Sequence, residues 1–222
     1  MVLDNLVFSI LSIIYTQLIY ASVPPVAELY KNKYYVGGVG GSGSTTWRGL
    51  VPAAENLNDA MSISTPILVR EGGAVWGLFG GYEIAPYFAI EANYMHFPDA
   101  TITFDEDSLF AFDNDGMTKL ISHTQTGSII GKVMLIIPNS PFRLYSGAGV
   151  ATVWRSDDIN TEYRFSPTFA VGFTLNVSQR LMFEIGTNYT AGYGESEINP
   201  VNDFIPFVYS FYGKVAIRFN TP

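Results

Sequence analysis

The feature that most constrains this chain is a hydrophobic period of two, which recurs between residues 33 and 219. In the stretch from Phe88 to Tyr94, large apolar side chains alternate with small or polar ones. Such alternation gives a β-strand two different environments on its two faces. Because the period of an amphipathic helix is absent past residue 30, the sequence predicts an all-β fold. Eight segments carry the pattern, at roughly 33–43, 72–84, 87–97, 121–137, 142–155, 164–177, 181–193 and 204–219.

The connections between these segments alternate strictly between tight and long ones. The tight ones carry turn residues such as Pro, Asn and Ser, and they are 85–86, 138–141 and 178–180. The longer and polar ones are found around 44–71, 98–120, 156–163 and 194–203. An up-and-down barrel has this alternation when turns are trimmed at one rim and loops are elaborated at the other. The sequence therefore predicts a single eight-stranded antiparallel up-and-down β-barrel.

The apolar strand faces are predicted to point outward at lipid. Charged strand residues share a face with glycine and alanine, which suits the narrow lumen of an eight-stranded barrel. The segments also reach the roughly 9–11 residues that cross a bilayer at a 45° tilt. We therefore predict a transmembrane β-barrel, and a soluble ligand-binding barrel is the alternative fold. Aromatic residues gather toward the strand ends, as in an interfacial girdle, at Tyr82, Tyr87, Phe88, Phe142, Trp154, Tyr189, Tyr209 and Phe219.

Composition excludes several other classes of protein. The absence of cysteine excludes thiol catalysis, cysteine-ligated metals and disulfides. A net charge of −8 gives no electrostatic footprint for nucleic acid. The aromatic content of 15 % and the charged content of only 14 % argue against a disordered chain. No cofactor is expected.

The first 21 residues are predicted to be a secretory signal peptide, and residues 22–222 the barrel domain. The apolar run from Leu6 to Ala21 is shorter than the roughly 20 residues of a membrane-spanning helix and suits the core of such a signal. The acidic Asp4, in a region that lacks Lys and Arg, does not fit this prediction. The alternative is an N-terminal helix packed on the fold.

The firmest candidates for a functional site are the ionisable residues on the lumen face of the strands. Unpaired charge in such a site is expensive, so we expect the two carboxylates to pair with the four basic groups. Such a network is either a static plug or an ion path that opens when the pairs exchange. Its predicted members are Glu91, Lys132, Arg143, Glu184, Lys214 and Arg218.

In several segments the sequence resembles the transmembrane domain of the outer-membrane protein A (OmpA) family. Residues 79–87 resemble the first periplasmic hairpin, and 88–91 the strand that rises from it. Residues 153–157 and 166–172 are similar to the top of strand five and the start of strand six. Residues 215–219 resemble the aromatic-terminated last strand that the barrel assembly machinery reads.

The resemblance implies a monomeric barrel in the outer membrane of a Gram-negative bacterium, exported through the periplasm, with both termini on the periplasmic side. Its partners would be the lipid bilayer and lipopolysaccharide. The family more often has structural or adhesive roles than catalytic ones, and we expect surface contact through 44–71 and 98–120. The chain departs from the family at Glu184, where the family has an Arg, so its lumen pairing must differ. With the sequence ending at Pro222, the family's peptidoglycan-binding domain and cell-wall tethering are not expected.

A narrow gated pore and a lipid-modifying outer-membrane enzyme are the alternatives to a structural role. An enzyme would use His96 or His123 beside a hydroxyl or an acid. Gly38–Gly43 matches GxGxxG, but no helix pattern follows, so we expect these glycines to pack within a strand. The acidic loops suggest that divalent cations form loose bridges between loop carboxylates and lipopolysaccharide phosphates. The spacing around Gly116 does not fit a calcium loop, because Ala111 would be the first ligand and Ser122 the last.

Overall fold

The structure is a computed structural model that describes residues 31–50, 66–138, 140–192 and 205–220. Within these residues it has ten β-strands, one short α-helix (α1, Leu109–Asp113) and one 3-10 helix (Trp47–Leu50). The predicted signal peptide lies outside the described residues. The strands are β1 Tyr34–Thr45, β2 Leu68–Arg70, β3 Gly73–Ala85, β4 Phe88–His96, β5 Ala100–Thr103, β6 Lys119–Ile136, β7 Phe142–Ser156, β8 Thr161–Asn176, β9 Leu181–Thr190 and β10 Val208–Phe219.

Eight of the strands form a closed antiparallel barrel, as predicted. Each one pairs with its neighbours in the order β1, β3, β4, β6, β7, β8, β9, β10, and β10 pairs again with β1. The closing pair runs without interruption from Tyr34 opposite Phe219 to Thr45 opposite Val208. Closure leaves no strand edge in the barrel, and this is what allows a sheet to stand in hydrocarbon.

The two rims of the barrel differ in part as the alternation of connections predicts, and the predicted loop at 194–203 lies outside the described residues. The turns after β3, β6 and β8 lie at one end, which we call the turn rim. Residues 31–33 lie there too, where Asn32 Nδ2 donates to the backbone oxygen of Gln179 at 3.0 Å. The opposite end is the loop rim.

Within the described residues, no helix is both long and apolar enough to span a membrane.

One long loop was predicted wrongly. We expected residues 156–163 to form a long polar connection at the loop rim. Instead, β7 extends to Ser156 and β8 begins at Thr161, so only four residues join them. Asp157 closes this turn, because its Oδ1 accepts the backbone N–H groups of Ile159 and Asn160 at 3.2 and 2.9 Å. The polar composition of residues 156–163 suggested a loop, but strands that project beyond a membrane are polar as well.

The loop rim carries a small structured cap that the sequence did not predict. We define the cap as the 3-10 helix, β2, β5, α1 and residues 119–123 of β6. Strand β5 pairs with both β2 and the first residues of β6, which extends the sheet beyond the barrel. The cap has its own apolar core and therefore is a folded element. This core contains Trp47, Val69, Ala100, Ile102, Phe104, Phe110 and Leu120.

The two faces of the strands have opposite environments, with the apolar face outward. Ile129 on β6 is 64 % exposed on the outer wall, while its neighbour Ile130 is 2 % exposed inside. Ile90, Phe183 and Ile217 are exposed outside as predicted, whereas Phe88 is half-buried. The interior is less polar than expected, since large apolar side chains share it with the charges. Those of one interior cluster are Tyr35, Val39, Val75, Phe79, Met95, Phe97, Met182, Val208 and Tyr212.

Candidate functional site

Four of the six predicted lumen residues form one compact network of alternating charge in the middle of the barrel. Glu91 contacts Lys132 Nζ and Lys214 Nζ, each at 2.6 Å. Glu184 contacts the same two ammonium groups, at 2.9 Å from Lys132 and 3.3 Å from Lys214. All four side chains are buried. Two carboxylates and two ammonium groups cancel, so this network is neutral and its members satisfy one another.

The strand register brings the network together. Lys214 on β10 lies directly opposite Glu184 on β9. On β4, Ala89 is the inward-facing residue that precedes Glu91, and it lies opposite Lys132 on β6. Even-numbered positions of β9 and β10 and odd-numbered positions of β4 point inward, so all the charges meet on one axis.

Neutral polar and aromatic groups complete the network. Tyr35 Oη donates to Glu91 at 3.0 Å, and Lys214 Nζ donates to Asn93 Oδ1 at 2.8 Å. The Lys132 ammonium lies 4.4 Å from the centre of the Tyr145 ring, and that of Lys214 lies 4.7 Å from the Phe79 ring. Cation–π contacts of this kind are worth about 2 kcal/mol when they are desolvated, so the rings help to replace the water that the ammonium groups lost.

The other two predicted residues, Arg143 and Arg218, belong to a second cluster near the turn rim. Their partner is Glu83 on β3, which is not among the residues predicted from the sequence. Arg143 Nη2 donates to Glu83 Oε1 at 2.7 Å, and Arg218 Nη2 donates to Glu83 Oε2 at 2.6 Å. Arg218 also donates to Asn176 Oδ1 at 2.7 Å and to the backbone oxygen of Asn32. The expectation that Glu91 and Glu184 would face all four basic residues was therefore wrong, because the distance along the barrel axis separates the charges into two groups.

Two tyrosines further fill the lumen beside the central network. Tyr145 and Tyr212 share a hydrogen bond between their hydroxyl groups at 2.8 Å. Gly172 and Gly186, paired across β8 and β9, make room for them, since a Cβ at either position would overlap the Tyr145 hydroxyl. The lumen of the described barrel is thus packed by side chains around its charges, as expected for eight strands.

A third group of buried charges lies where the barrel meets the cap. Arg155 Nε donates to Asp157 Oδ2 at 2.6 Å, and the Arg155 guanidinium lies 4.6 Å from the ring centre of Trp47. Glu71 accepts the backbone N–H groups of Trp47 and Arg48 at 2.8 and 3.3 Å and so holds the start of the 3-10 helix. Burial raises the pKa of the Glu71 carboxyl above its ordinary value, although these hydrogen bonds act in the opposite direction.

The two histidines do not form a catalytic arrangement with a hydroxyl in the part of the chain that the structure describes. His123 Nδ1 lies 2.6 Å from Asp99 Oδ1, and both side chains are about half exposed. Ser122, its neighbour, points to the opposite face of β6 and is buried. His96 packs against the ring of Trp76 at a centroid distance of 5.2 Å. Among the residues that the structure describes, this acid and base have no hydrogen bond to a nucleophile.

The remaining candidate motifs have structural accounts. Gly38–Gly43 lies within β1, as expected for packing in a strand. Within the described residues no group of three or more His, Asp or Glu side chains is placed to hold a metal ion. Gly116 has a φ of +81°, which identifies it as a turn glycine. Exposed acids of the loop rim include Asp99, Asp105, Glu106, Asp107, Asp113, Asp115 and Asp158, whereas Glu195, Glu197 and Asp203 lie outside the described residues.

Comparison with known proteins agrees with this architecture. A family described as "Outer membrane protein beta-barrel domain" matches residues 14–211. The outer membrane protein OprG from Pseudomonas aeruginosa has a similar structure, with a TM-score of 0.53 and 14 % identity over 86 % of this chain and 97 % of that one. The N-terminal β-barrel domain of Pseudomonas aeruginosa OprF scores 0.48 at 10 % identity, covering 85 % and 98 % of the two chains. Neisserial surface protein A scores 0.46 at 14 % identity, covering 84 % and 97 %. No curated protein matches the chain.

Proposed function

Since this chain belongs to the outer membrane protein β-barrel family, which places it in the outer membrane, we propose that it is a closed, non-catalytic barrel with a structural and surface-contact role. It acts as a monomer that is exported through the periplasm and inserted by the barrel assembly machinery. The turn rim faces the periplasm, and the cap faces outward among the lipopolysaccharide molecules.

The observation that carries this proposal is the paired and packed lumen. Every carboxylate of the two interior clusters accepts at least two charged donors, at distances of 2.6–3.3 Å. Opening a continuous path would separate buried charges from their partners, at about 3–5 kcal/mol for each pair that is broken. A plugged barrel can anchor an external structure but does not conduct.

Planar-bilayer recordings test the plug. The full-length protein and its Glu184→Ala variant should both give a membrane without discrete current steps. Steps of uniform size in the wild type would support the second candidate function, a narrow gated pore. One observation favours the pore: Lys132 and Lys214 each contact both Glu91 and Glu184, so pairs can exchange without complete separation of charge.

The surface-contact role rests on the cap. Phe112 on α1 is 84 % exposed and has exposed acids near it in the sequence, whereas Phe110 on the same helix is packed in the core of the cap. Cells that display the wild-type protein should adhere to surfaces or to one another more strongly than cells that display Phe112→Ser. The matched control is Arg48→Gln, another exposed position at the loop rim. Equal adhesion for all three would argue against this role.

The absence of catalysis has its own test. Substitution of His96 and His123 by alanine should leave lipid A composition and proteolysis at the cell surface unchanged, because among the described residues no nucleophile is hydrogen-bonded to the Asp99–His123 pair. A change in either property upon these substitutions would instead support the lipid-modifying or proteolytic enzyme.

A further inference from the structure

The turn rim carries a compact group of exposed basic side chains. Lys31, Lys33 and Arg180 are all exposed. They are held close together because Asn32, between the two lysines, donates to the backbone oxygen of Gln179, which directly precedes Arg180. The backbone N–H of Lys33 also donates to Asn220 Oδ1 at 3.1 Å, which ties the same corner to the end of β10.

Positive charge at this corner is not balanced by acids within the described residues. None of the carboxylates described there forms an ion pair with these three side chains. The buried cluster just inside the rim also contains cations, because Arg143 and Arg218 both donate to Glu83. The corner therefore presents a field that attracts anions.

An apolar groove on the outer wall of the barrel leads toward the same corner. Its volume is about 460 Å³, within the range of about 300–1,000 Å³ that is typical of ligand sites. Phe183, which lines it, follows Arg180 by three residues on the chain, or about 10 Å along an extended strand. The groove is lined by Ile137, Phe142, Phe173, Leu175, Phe183 and Ile185, together with Glu184, which is buried.

We propose that this groove and the basic corner together bind one anionic phospholipid of the periplasmic leaflet, with an acyl chain along the groove and the phosphate at Arg180, Lys31 and Lys33. The inference rests on the proposed function, because it needs the turn rim to face the periplasm. An apolar channel that ends at clustered cations matches a lipid with a negative headgroup, whereas the exposed acids of the loop rim have the wrong sign for it. Each cation near an anionic headgroup supplies a preference of about fivefold.

Binding of fluorescent lipids to the full-length protein in detergent tests this proposal. Phosphatidylglycerol and phosphatidylcholine with the same acyl chains are titrated separately, and fluorescence anisotropy gives the ratio of the two dissociation constants. The wild type should prefer phosphatidylglycerol. The variant K31Q/K33Q/R180Q should lose most of this preference, by about fivefold per charge removed. The matched control R48Q/R70Q/K119Q removes three exposed charges at the loop rim and should keep the preference.

Two further measurements separate the headgroup from the acyl chain. Ile185→Trp fills the groove from its lipid-facing side and should weaken binding of both lipids equally. Glycerol phosphate added in excess should fail to displace the labelled phosphatidylglycerol, whereas displacement would mean that a free phosphate compound is the ligand.

The proposal is wrong if the wild type shows no preference, if the two triple variants behave alike, or if Ile185→Trp binds both lipids as the wild type does. A gel mobility shift on heating is recorded for every variant. A shift that persists without a lipid preference would leave the barrel and the proposed function standing. Loss of the shift in the wild type would instead contradict the membrane barrel itself.

Discussion

Replacing Glu91 by glutamine perturbs the centre of the lumen network with little change in side-chain size. The glutamine side chain would keep one oxygen that can accept a hydrogen bond, but it would lose the charge that faces both lysines at 2.6 Å. Lys132 and Lys214 would then share Glu184 alone, and the buried network would carry an excess of one positive charge.

The size of the effect follows from that excess. Removing one partner of a buried ion pair lowers the free energy of unfolding by about 3–5 kcal/mol. Glu184 remains 2.9 Å from Lys132 and 3.3 Å from Lys214, so we expect a loss toward the lower end, about 3 kcal/mol. The double variant Glu91→Gln with Lys132→Met is neutral again and should recover a large part of the loss.

Urea unfolding in phosphatidylcholine vesicles measures these differences, followed by tryptophan fluorescence and by the gel mobility shift. Glu162→Gln is the matched control, because Glu162 lies 4.0 Å from Arg164 and both are partly exposed. Its effect should stay below about 1 kcal/mol. If Glu91→Gln cost no more than Glu162→Gln, or if the double variant were less stable than either single one, the charge-pairing argument would be refuted.

Three other predictions concern the packing, the sidedness and the cap. Gly186→Val should lower the free energy of unfolding by about 1–3 kcal/mol in the same assay, because its Cβ would overlap the Tyr145 hydroxyl; unchanged stability would contradict the packed lumen. Val215→Lys, on the outer wall midway along β10, should cost about 2–4 kcal/mol, whereas Tyr209→Lys near the end should cost about 0–1; equal costs would contradict a lipid-facing wall. Because burial raises the pKa of Glu71, the cap should be most stable below the unfolded pKa of about 4.3 and should lose stability as the pH rises through the folded value. Glu71→Gln does not titrate, so limited proteolysis of the cap at matched pH should show a gap from the wild type that widens as the pH rises, and a constant gap would count against this titration.

The barrel could be predicted because each strand repeats the same local rule. Most predicted strand ends agree with the observed ones to within about three residues, since turn residues mark the tight connections and the period of two marks the strands. The rule fails where contacts between distant segments, rather than the local pattern, determine the structure of a segment. Residues 98–120 have the polar composition of a loop, yet Phe104 and Phe110 stack at 3.8 Å in the core of the cap.

The candidate site could be predicted only in part. Strand parity identifies which charges enter the lumen, but not their height along the axis, and that height depends on the register between strands. Glu83 could not be assigned to the lumen from β3 alone. The other inward residues of this strand, Val75 and Phe79, are large and apolar, so the inward face of β3 has the composition expected of a lipid-facing one. Extending the parity of β4 across the turn at residues 86–87 would have found it.

The most direct test of sidedness uses two adjacent isoleucines and no substitution. Ile129 and Ile130 have the same side chain, but Ile129 is on the outer wall and Ile130 is inside. In methyl-labelled protein reconstituted in lipid nanodiscs, nuclear Overhauser effects from acyl-chain protons should reach the Ile129 δ1 methyl and not that of Ile130. Cross-peaks from lipid to Ile130, or water contacts at Ile129 in their place, would contradict the account.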